Sequence, residues 1–371
     1  MKFTIERANL LKALNHVTSV VERRNTIPIL SNILLSVTAD AVSFAATDLD
    51  IEIVETVSAD VRTEGVATLP AHTFYEIVRK LPDGAEVTLE ANTEDGQIII
   101  HAGRARFSLP TLPEDEFPAL SADGLTHSFE MDASELARLI DKTRFAVSSE
   151  ETRYYLNGVH LHATEGDDAV IRAVATDGHQ LALCESAMPE GAAGMPAIII
   201  PRKTIGEVRK LIDDMADAVQ VQVSDAKIRF TAGSAILTSK LIDGSFPDYQ
   251  RVIPKDNENK LELENRTFAA SVDRVSTVSV EKSRSVKMVL EADMLTLRVS
   301  NPESGQGTEE IPVSYGGEPM EIGFNAKYLL NVLSQIDGQD VIFRLSNANS
   351  PILIEDSGDE HALYVLMPLR V

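Results

Sequence analysis

Three segments of the chain repeat one pattern of hydrophobic and polar positions. Each begins with apolar residues at every second position, the period of a strand, and then changes to the four-residue step of a helix. The first apolar position of the copies is occupied by Phe3, Phe129 and Leu261. We therefore predict a strand that runs into an amphipathic helix in each copy. The copies are residues 2–17, 128–143 and 260–275.

A second helical pattern follows each copy and recurs at intervals close to a third of the chain. Its first apolar position is occupied by Phe74, Ile205 and Leu329, and an alternating strand comes after each helix. Two helix types in the same order, three times, indicate an internal repeat. Helices that cover one face of antiparallel sheets make α+β layers, so we predict three α+β domains. The predicted domains are residues 1–125, 126–256 and 257–371.

The composition suits a protein with several hydrophobic cores. The chain has 371 residues, of which 44% are hydrophobic, and a single core stops growing at about 250–300 residues. Its one cysteine, Cys184, cannot form an intrachain disulfide and fits a reducing compartment. The first residues lack the apolar run of a signal peptide, and no stretch approaches the roughly 18 apolar residues of a membrane span. We expect a cytoplasmic protein.

The net charge of −23 by itself argues against nucleic acid, because phosphate contacts are made mainly by Lys and Arg. The six predicted helices nevertheless carry ten more basic than acidic residues. If they shared one face, that face could hold a duplex through its phosphates without reading sequence. The ordinary preference of helices for Lys and Arg, together with solvated outer faces, is an alternative explanation of the same count. The predicted helices are residues 6–24, 71–81, 134–144, 201–212, 266–284 and 325–336.

The string Thr176-Asp177-Gly178-His179 looks most like catalytic chemistry, because an Asp and a His are followed by Cys184. Strand patterns flank it, however, which predicts a hairpin turn at Asp177-Gly178 and a buried, inert cysteine. Acidic pairs occur without a spaced His or third carboxylate, and no phosphate-binding glycine motif is present. We therefore predict no catalytic residue, no metal site and no cofactor.

Strings along essentially the whole chain resemble the bacterial beta sliding clamps, the family of the DNA polymerase III beta subunit. The resemblance implies three repeated DNA-clamp domains, with helices lining a pore and antiparallel sheets outside, in a ring-shaped head-to-tail homodimer. It implies a processivity factor without catalysis, which encircles double-stranded DNA, is loaded by an ATP-dependent clamp loader and tethers the replicative polymerase and other proteins. The strings are Pro28–Asn32, Thr47–Asp50, Arg106–Leu109, Arg153–Gly158, Ala175–Leu181, Phe246–Tyr249, Met320–Asn325 and Tyr364–Val371.

The same resemblance implies three sets of site residues. The partner-peptide groove would consist of Leu156, Thr176, Gly178, His179, Leu181, Pro247, Arg251, Val252, Val365, Leu366, Met367, Pro368 and Leu369. The DNA contacts would be Arg24, which matches a pore position, and its neighbours Arg79, Lys80, Arg202 and Lys203. The dimer interface would place Arg104, Phe107 and Leu109 against Thr277 and Val278 of the other chain. Glu150 departs from the pattern, because some clamps have Gln there and a carboxylate repels phosphate.

Two alternatives stay open at this point. The chain could be a monomeric acidic scaffold that binds peptides and never encloses DNA, or a hydrolase that uses Asp177 and His179. Without the resemblance, the terminal strand would be interpreted as one that simply completes a core.

Overall fold

The computed structural model describes residues 1–92, 96–121, 123–213, 217–279 and 284–370. These residues form six α-helices and four antiparallel sheets in two compact units. The first unit consists of Met1–Ala137, Pro189–Pro196 and Lys203–Leu241, and the second of Arg138–Met188, Ala197–Arg202 and Ile242–Val371. The helices are α1 (Arg7–Thr18), α2 (Ala71–Arg79), α3 (Ala133–Thr143), α4 (Arg202–Leu211), α5 (Asn265–Ser276) and α6 (Ala326–Leu333).

The strands are short, and most of them alternate buried and exposed residues, as expected of sheets with one face toward a core. They are β1 (Lys2–Glu6), β2 (Asn32–Val37), β3 (Ala41–Thr47), β4 (Ile51–Ser58), β5 (Asp60–Thr63), β6 (Gly65–Pro70), β7 (Glu86–Asn92), β8 (Gln97–Ala102), β9 (Ala105–Pro110), β10 (His127–Asp132), β11 (Gly158–Ala163), β12 (Val170–Thr176), β13 (Gln180–Ala187), β14 (Ile198–Pro201), β15 (Ala218–Val223), β16 (Lys227–Ala232), β17 (Ala235–Lys240), β18 (Asn259–Glu264), β19 (Ser285–Glu291), β20 (Met294–Asn301), β21 (Gly305–Pro312), β22 (Ser314–Tyr315), β23 (Met320–Asn325), β24 (Asp340–Leu345), β25 (Ile352–Asp356) and β26 (Asp359–Leu366).

The first unit contains a five-stranded sheet, in the order β5-β1-β7-β8-β9, and an eight-stranded sheet, in the order β10-β15-β16-β17-β4-β3-β2-β6. Helix α1 packs against α2 and against β3 and β4, and it buries Leu10 and Leu14. The eight-stranded sheet is continuous where β17 pairs with β4, with Leu237 opposite Ile53. Strands from the first and second predicted domains therefore share one sheet.

The second unit contains a nine-stranded sheet, in the order β14-β11-β12-β13-β26-β25-β24-β18-β22, and a four-stranded sheet, in the order β21-β20-β19-β23. Helices α5 and α6 pack against each other, and Phe268 of α5 meets Phe343 edge-on with ring centroids 5.6 Å apart. Pairing of β13 with β26 places Leu181 opposite Val365. This sheet joins strands from the second and third predicted domains, so the compact units cut across the sequence repeat.

The aligned apolar positions of the repeat are almost all buried. Phe3 and Leu261 are fully buried and Phe129 is nearly so, and Ile77 is the one aligned position that is only half-buried. Every predicted helix is present, and the hairpin turn at Asp177-Gly178 lies between β12 and β13. The hydrophobic period therefore predicted both the elements and their inward faces correctly.

Five of the six helices are shorter than predicted, α1 and α5 by the most. Helix α1 ends at Thr18 instead of residue 24, and α5 ends at Ser276, while residues 280–283 of the predicted 266–284 lie outside the described part of the chain. Hydroxyl side chains lie at the C-terminal end of each of these two helices and bond to the preceding turn. Thr18 Oγ1 donates to the Leu14 carbonyl oxygen, and Thr277 Oγ1 donates to the Asp273 carbonyl oxygen. Such β-branched and hydroxyl residues compete with helix continuation, which the apolar period alone does not show.

Most of the basic side chains on the helices are paired within the chain. Arg138 pairs with Asp359 at 3.1 Å, and Lys142 pairs with Asp337 at 2.8 Å. The count of basic residues therefore overstates the charge that is free to meet an anion. None of the described helices is long and apolar enough to cross a membrane.

Candidate peptide-binding groove

The floor of the predicted groove is a hydrophobic cluster on the β12-β13 hairpin and β26. It is formed by the buried residues Val174, Leu181, Leu183, Tyr249 and Val365. Phe246, Ile253, Leu353 and Leu363 pack around this cluster and are partly buried. Since β13 and β26 pair side by side, residues far apart in sequence become neighbours. The structure thus brings two of the predicted groove residues, Leu181 and Val365, into one cluster.

The chain after β26 is held along this floor by its backbone. The Met367 amide donates to the His179 carbonyl oxygen at 2.9 Å, and the Leu369 amide donates to that of Gly323 at 2.8 Å. Val365 and Leu366 are buried, so part of the terminal strand does complete a core. Met367, however, keeps 40% of its surface exposed. The segment therefore serves both as core and as an accessible apolar rim.

Three large apolar side chains of the described part of this unit remain exposed, and two of them, Val252 and Met367, are predicted groove residues. Tyr154 is 53% exposed, Val252 48% and Met367 40%. Arg251 is also exposed and pairs with Asp248 at 2.7 Å. Exposed apolar groups around a buried apolar floor are typical of a site that an apolar anchor covers. Tyr154 was missed from the sequence, although it lies in the Arg153–Gly158 string.

The turn at residues 176–180 is held by its own side chains. Thr176 Oγ1 donates to the Gln180 carbonyl at 2.8 Å, and Asp177 Oδ1 accepts from the His179 and Gln180 amides at 2.8 and 3.0 Å. The His179 ring stacks on Tyr328, with centroids 5.8 Å apart. Asp177 therefore shapes a turn, and the His179 ring packs against Tyr328 of α6.

Gly178 is favoured at the tip of this turn mainly by its backbone conformation. Its φ is 89°, in the left-handed region, and a Cβ would lie 2.6 Å from Nη1 of Arg153. Arg153 in turn pairs with Glu150 at 2.8 Å, and this partner lowers the pKa of the Glu150 carboxyl. The charge of Glu150 is therefore largely balanced by Arg153, which reduces the repulsion of phosphate expected from the sequence.

A polar network lies behind the groove, and sequence reasoning did not find it. Arg172 Nη1 donates to the Tyr249 hydroxyl at 2.9 Å, and Arg172 Nε donates to Glu185 at 2.7 Å. The Tyr249 hydroxyl also lies 2.9 Å from Nε2 of His162. These partners fix the ring that closes the hydrophobic floor. The alternation of β11 places His160 and His162 on one strand face, which is a signal that could have revealed the cluster.

Both histidines of this cluster are neutral near pH 7. Burial, together with the neighbouring His162, lowers the pKa of His160 from 6.5 to about 4. Burial also lowers the pKa of His162. The His160 ring stacks on Phe246 with centroids 4.6 Å apart and planes 7° apart. A neutral imidazole therefore forms part of the apolar support of the segment that carries Pro247 and Val252.

The predicted DNA contacts differ in how free their charges are. Arg24 is exposed and forms no ion pair within the residues that the structure describes. Arg79 and Lys80 lie at the end of α2 and share Glu76, at 2.8 and 3.4 Å. Lys203 is different, because its ammonium is bound by carboxylates of the same unit.

Arg202 lies in the second unit and lines a cavity of about 440 Å³ there. The groove residue His179, together with Glu150 and Lys327, also lines this cavity. The structure therefore brings one predicted DNA contact and one predicted groove residue to the same cavity.

The predicted dimer residues lie at two sheet edges. Arg104 and Phe107 belong to the β8-β9 hairpin, whose β9 is an outer strand, and Phe107 is half-buried. Leu109 is buried in its own unit and offers little surface to a partner. Thr277 and Val278 follow α5, and Val278 lies against Gly307 of β21, which is also an outer strand.

No group of three or more His, Cys, Asp or Glu side chains that could hold a metal ion occurs within the described ranges. Cys184 is buried, as predicted from its strand pattern. Repeated α+β modules built on antiparallel sheets define a protein of the DNA-clamp class.

Comparison with known proteins agrees with this class along the whole chain. Models of the DNA polymerase III beta subunit match with the N-terminal domain at residues 1–121, the central domain at 130–248 and the C-terminal domain at 250–370. The chain is 59% identical over 372 residues to the beta sliding clamp of Caulobacter vibrioides NA1000, and 39% identical over 374 residues to that of Escherichia coli K12. Both matches cover 100% of each chain.

Solved structures give the same result. A Caulobacter crescentus beta sliding clamp with bound polyethylene glycol superposes with a TM-score of 0.98 at 59% identity, covering 100% of this chain and 99% of that one. A Bartonella birtlesii clamp bound to griselimycin gives 0.97 at 45% identity, covering 100% of both chains. The chain therefore belongs to the DNA polymerase III beta subunit family, the beta sliding clamps. This family is a non-catalytic processivity factor of DNA replication, so the hydrolase alternative is wrong.

Proposed function

We propose that two copies of the chain close head to tail into a ring around double-stranded DNA, each copy contributing the domains 1–125, 126–256 and 257–371. The ring would hold DNA topologically, without reading its sequence, and would be opened by an ATP-dependent clamp loader. It would tether the replicative polymerase and other proteins through the groove. We place this work in the cytoplasm, on replicating DNA.

The observation that carries the ring is the pair of outer strands β9 and β21. Among the described strands, each has a neighbour on one side only, and the free row of backbone N–H and C=O groups favours pairing with another chain. Since one copy has both edges, β9 of one subunit can pair with β21 of the next, and such a head-to-tail contact closes when the rotation allows it. Arg104 and Arg106 at the first edge and Glu310 at the second have opposite charges, which supports this pairing.

DNA would meet Arg24, Arg79, Lys80 and Arg202, which are all exposed. Lys and Arg contacts to phosphate position a duplex without specifying bases, as a mobile ring requires. Weak contacts suffice, because a closed ring keeps DNA by topology.

Partner proteins would insert a short segment with apolar anchors into the groove. Its floor around Leu181 and Val365 is apolar and buried, while Val252 and Met367 leave apolar surface for an incoming side chain. His179 and Arg251 flank the floor with polar groups that can orient a peptide backbone.

The solution mass at micromolar concentration tests the assembly. We expect light scattering to give about twice 40.4 kDa for the native chain, and about half of the native value for Val278→Asp. The matched variant Val278→Ile keeps an apolar side chain beside β21 and should stay dimeric. A native mass near 40.4 kDa would favour the monomeric acidic scaffold instead.

A further inference from the structure

The ammonium group of Lys203 is bound by three oxygens of its own unit. Lys203 Nζ donates to Asp48 Oδ2 at 2.5 Å, to the Val20 carbonyl oxygen at 3.3 Å and to Glu22 Oε1 at 3.4 Å. The Lys203 side chain is only 37% exposed, and that of Asp48 only 14%. A lysine held in this way has few hydrogens left for a phosphate.

The contacts to Val20 and Glu22 lie just after the end of α1, in the loop that carries Arg24. Val20 and Val21 lie in the turn just after α1, where the helix supplies no partner for their carbonyl oxygens, so side chains or water must do so. Here Lys203 donates to the Val20 carbonyl, and the His72 ring lies 3.0 Å from that of Val21. Val20 and Val21 are buried, and Arg24 stands exposed three residues later.

Asp48 is a firm anchor for this arrangement. Its Oδ1 accepts from the amides of Asp50 and Ile51 at 2.9 and 2.8 Å, which leaves Oδ2 to Lys203. Burial raises the pKa of Asp48, but Lys203 and the two amides outweigh it and hold that pKa below its usual value. The carboxylate is therefore charged and fixed at neutral pH.

We propose that Lys203 is a positioning residue, which ties the base of the Arg24 loop to the Asp48 turn, and that it makes no phosphate contact itself. The inference rests on the proposed function, since it gives a role to Lys203 in holding DNA. It also assigns a role to Asp48, a carboxylate that would otherwise only repel DNA.

The two roles of Lys203 predict opposite effects of Asp48→Asn. If Lys203 contacts phosphate, this substitution removes a nearby negative charge, frees the ammonium group and tightens DNA binding. If Lys203 positions the loop, the same substitution removes its anchor and weakens binding. Asp50→Asn is the matched control, because it removes the same charge from the same turn but breaks a pair with Lys240, 3.1 Å away.

The experiment is the affinity of the full-length protein for a fluorescein-labelled 30-base-pair duplex, measured against salt concentration. Each phosphate contact contributes about 0.9 to the slope of log affinity against log salt. We expect Lys203→Met, Asp48→Asn and Arg24→Ala each to lower that slope by up to about 0.9. We expect Lys203→Arg to bind like the native chain. In the Arg24→Ala background, Lys203→Met should cause no further loss.

Tighter binding by Asp48→Asn would overturn the positioning role. So would a combined loss in slope of about 1.8 for Arg24→Ala with Lys203→Met, the sum for two independent contacts. If Lys203→Met fails to fold, the direction of the Asp48→Asn effect decides alone. A different result would contradict the proposed DNA function itself: unchanged DNA binding by both Arg24→Ala and Arg79→Ala.

Discussion

Removal of the Tyr249 hydroxyl tests whether the polar network behind the groove controls peptide binding. Tyr249→Phe keeps the ring in its buried cluster but removes the contacts to Arg172 and His162, both at 2.9 Å. A hydrogen bond to a neutral group contributes about 0.5–1.5 kcal/mol and one to a charged group about 1.5–3 kcal/mol. Because Arg172 keeps Glu185 as a partner, we expect a net loss of about 1–3 kcal/mol in the free energy of unfolding.

The same loss should reach the groove, because Tyr249 begins the turn that carries Arg251 and Val252. If this turn is held less firmly, a smaller fraction of the protein has the groove in its binding-competent conformation. The apparent peptide affinity falls in proportion to that fraction. Since 1.4 kcal/mol corresponds to a factor of ten, we expect peptide affinity to fall about tenfold if about half of that loss acts on the groove.

The assay is fluorescence polarisation with a labelled peptide that has leucine and phenylalanine anchors, combined with urea unfolding of the same samples. Tyr75→Phe is the control, because the Tyr75 hydroxyl makes no hydrogen bond with the residues that the structure describes. Unchanged peptide affinity in Tyr249→Phe, whatever its stability, would refute the link between the network and the groove.

Three further predictions concern the same unit. Gly178→Ala should weaken peptide binding severalfold without unfolding the chain, because φ of 89° costs a Cβ residue about 1–2 kcal/mol; the peptide assay checks this. Gly158→Ala places a Cβ 2.3 Å from the Ile200 carbonyl oxygen, so urea unfolding should show a loss of about 1–3 kcal/mol or more. The pKa of His160 falls from 6.5 to about 4 on folding, so between pH 6.5 and 4 the unfolded chain binds more protons than the folded chain. Stability should therefore drop by up to about 3 kcal/mol between pH 6.5 and 4, and less in His160→Leu, in unfolding measured across that range.

The positions of the helices and their buried faces could be predicted from the sequence, because the spacing of hydrophobic residues determines them. Strand alternation and the four-residue step placed the helices and their buried faces, including Phe3 and Leu261. Helix ends were less predictable, because they depend on local side-chain bonds, such as those of Thr18 and Thr277 to the preceding turn, that the apolar pattern does not contain. Sheet order was not predictable from period at all, since the pairing of β13 with β26 joins residues far apart in sequence.

The site residues also differ in how well the sequence predicts them. Groove residues such as Leu181 and Val365 came from the family strings, and the structure brings them together. The role of a charged residue could not be predicted in this way, because it depends on ion-pair partners that are distant in sequence. Lys203 is indistinguishable from Arg202 by sequence, yet only Lys203 is held by Asp48, because that carboxylate comes from a distant turn of the same unit.

The central claim is that DNA is held by enclosure, and retention on circular DNA tests it most directly. The protein would be loaded by a clamp loader and ATP onto nicked circular DNA, then passed through a gel-filtration column at high salt. We predict that it stays with the circle and is released when a restriction enzyme linearises the DNA, because only a closed ring loses its hold at a free end. Equal retention on circular and linear DNA, or loss from both at high salt, would contradict enclosure.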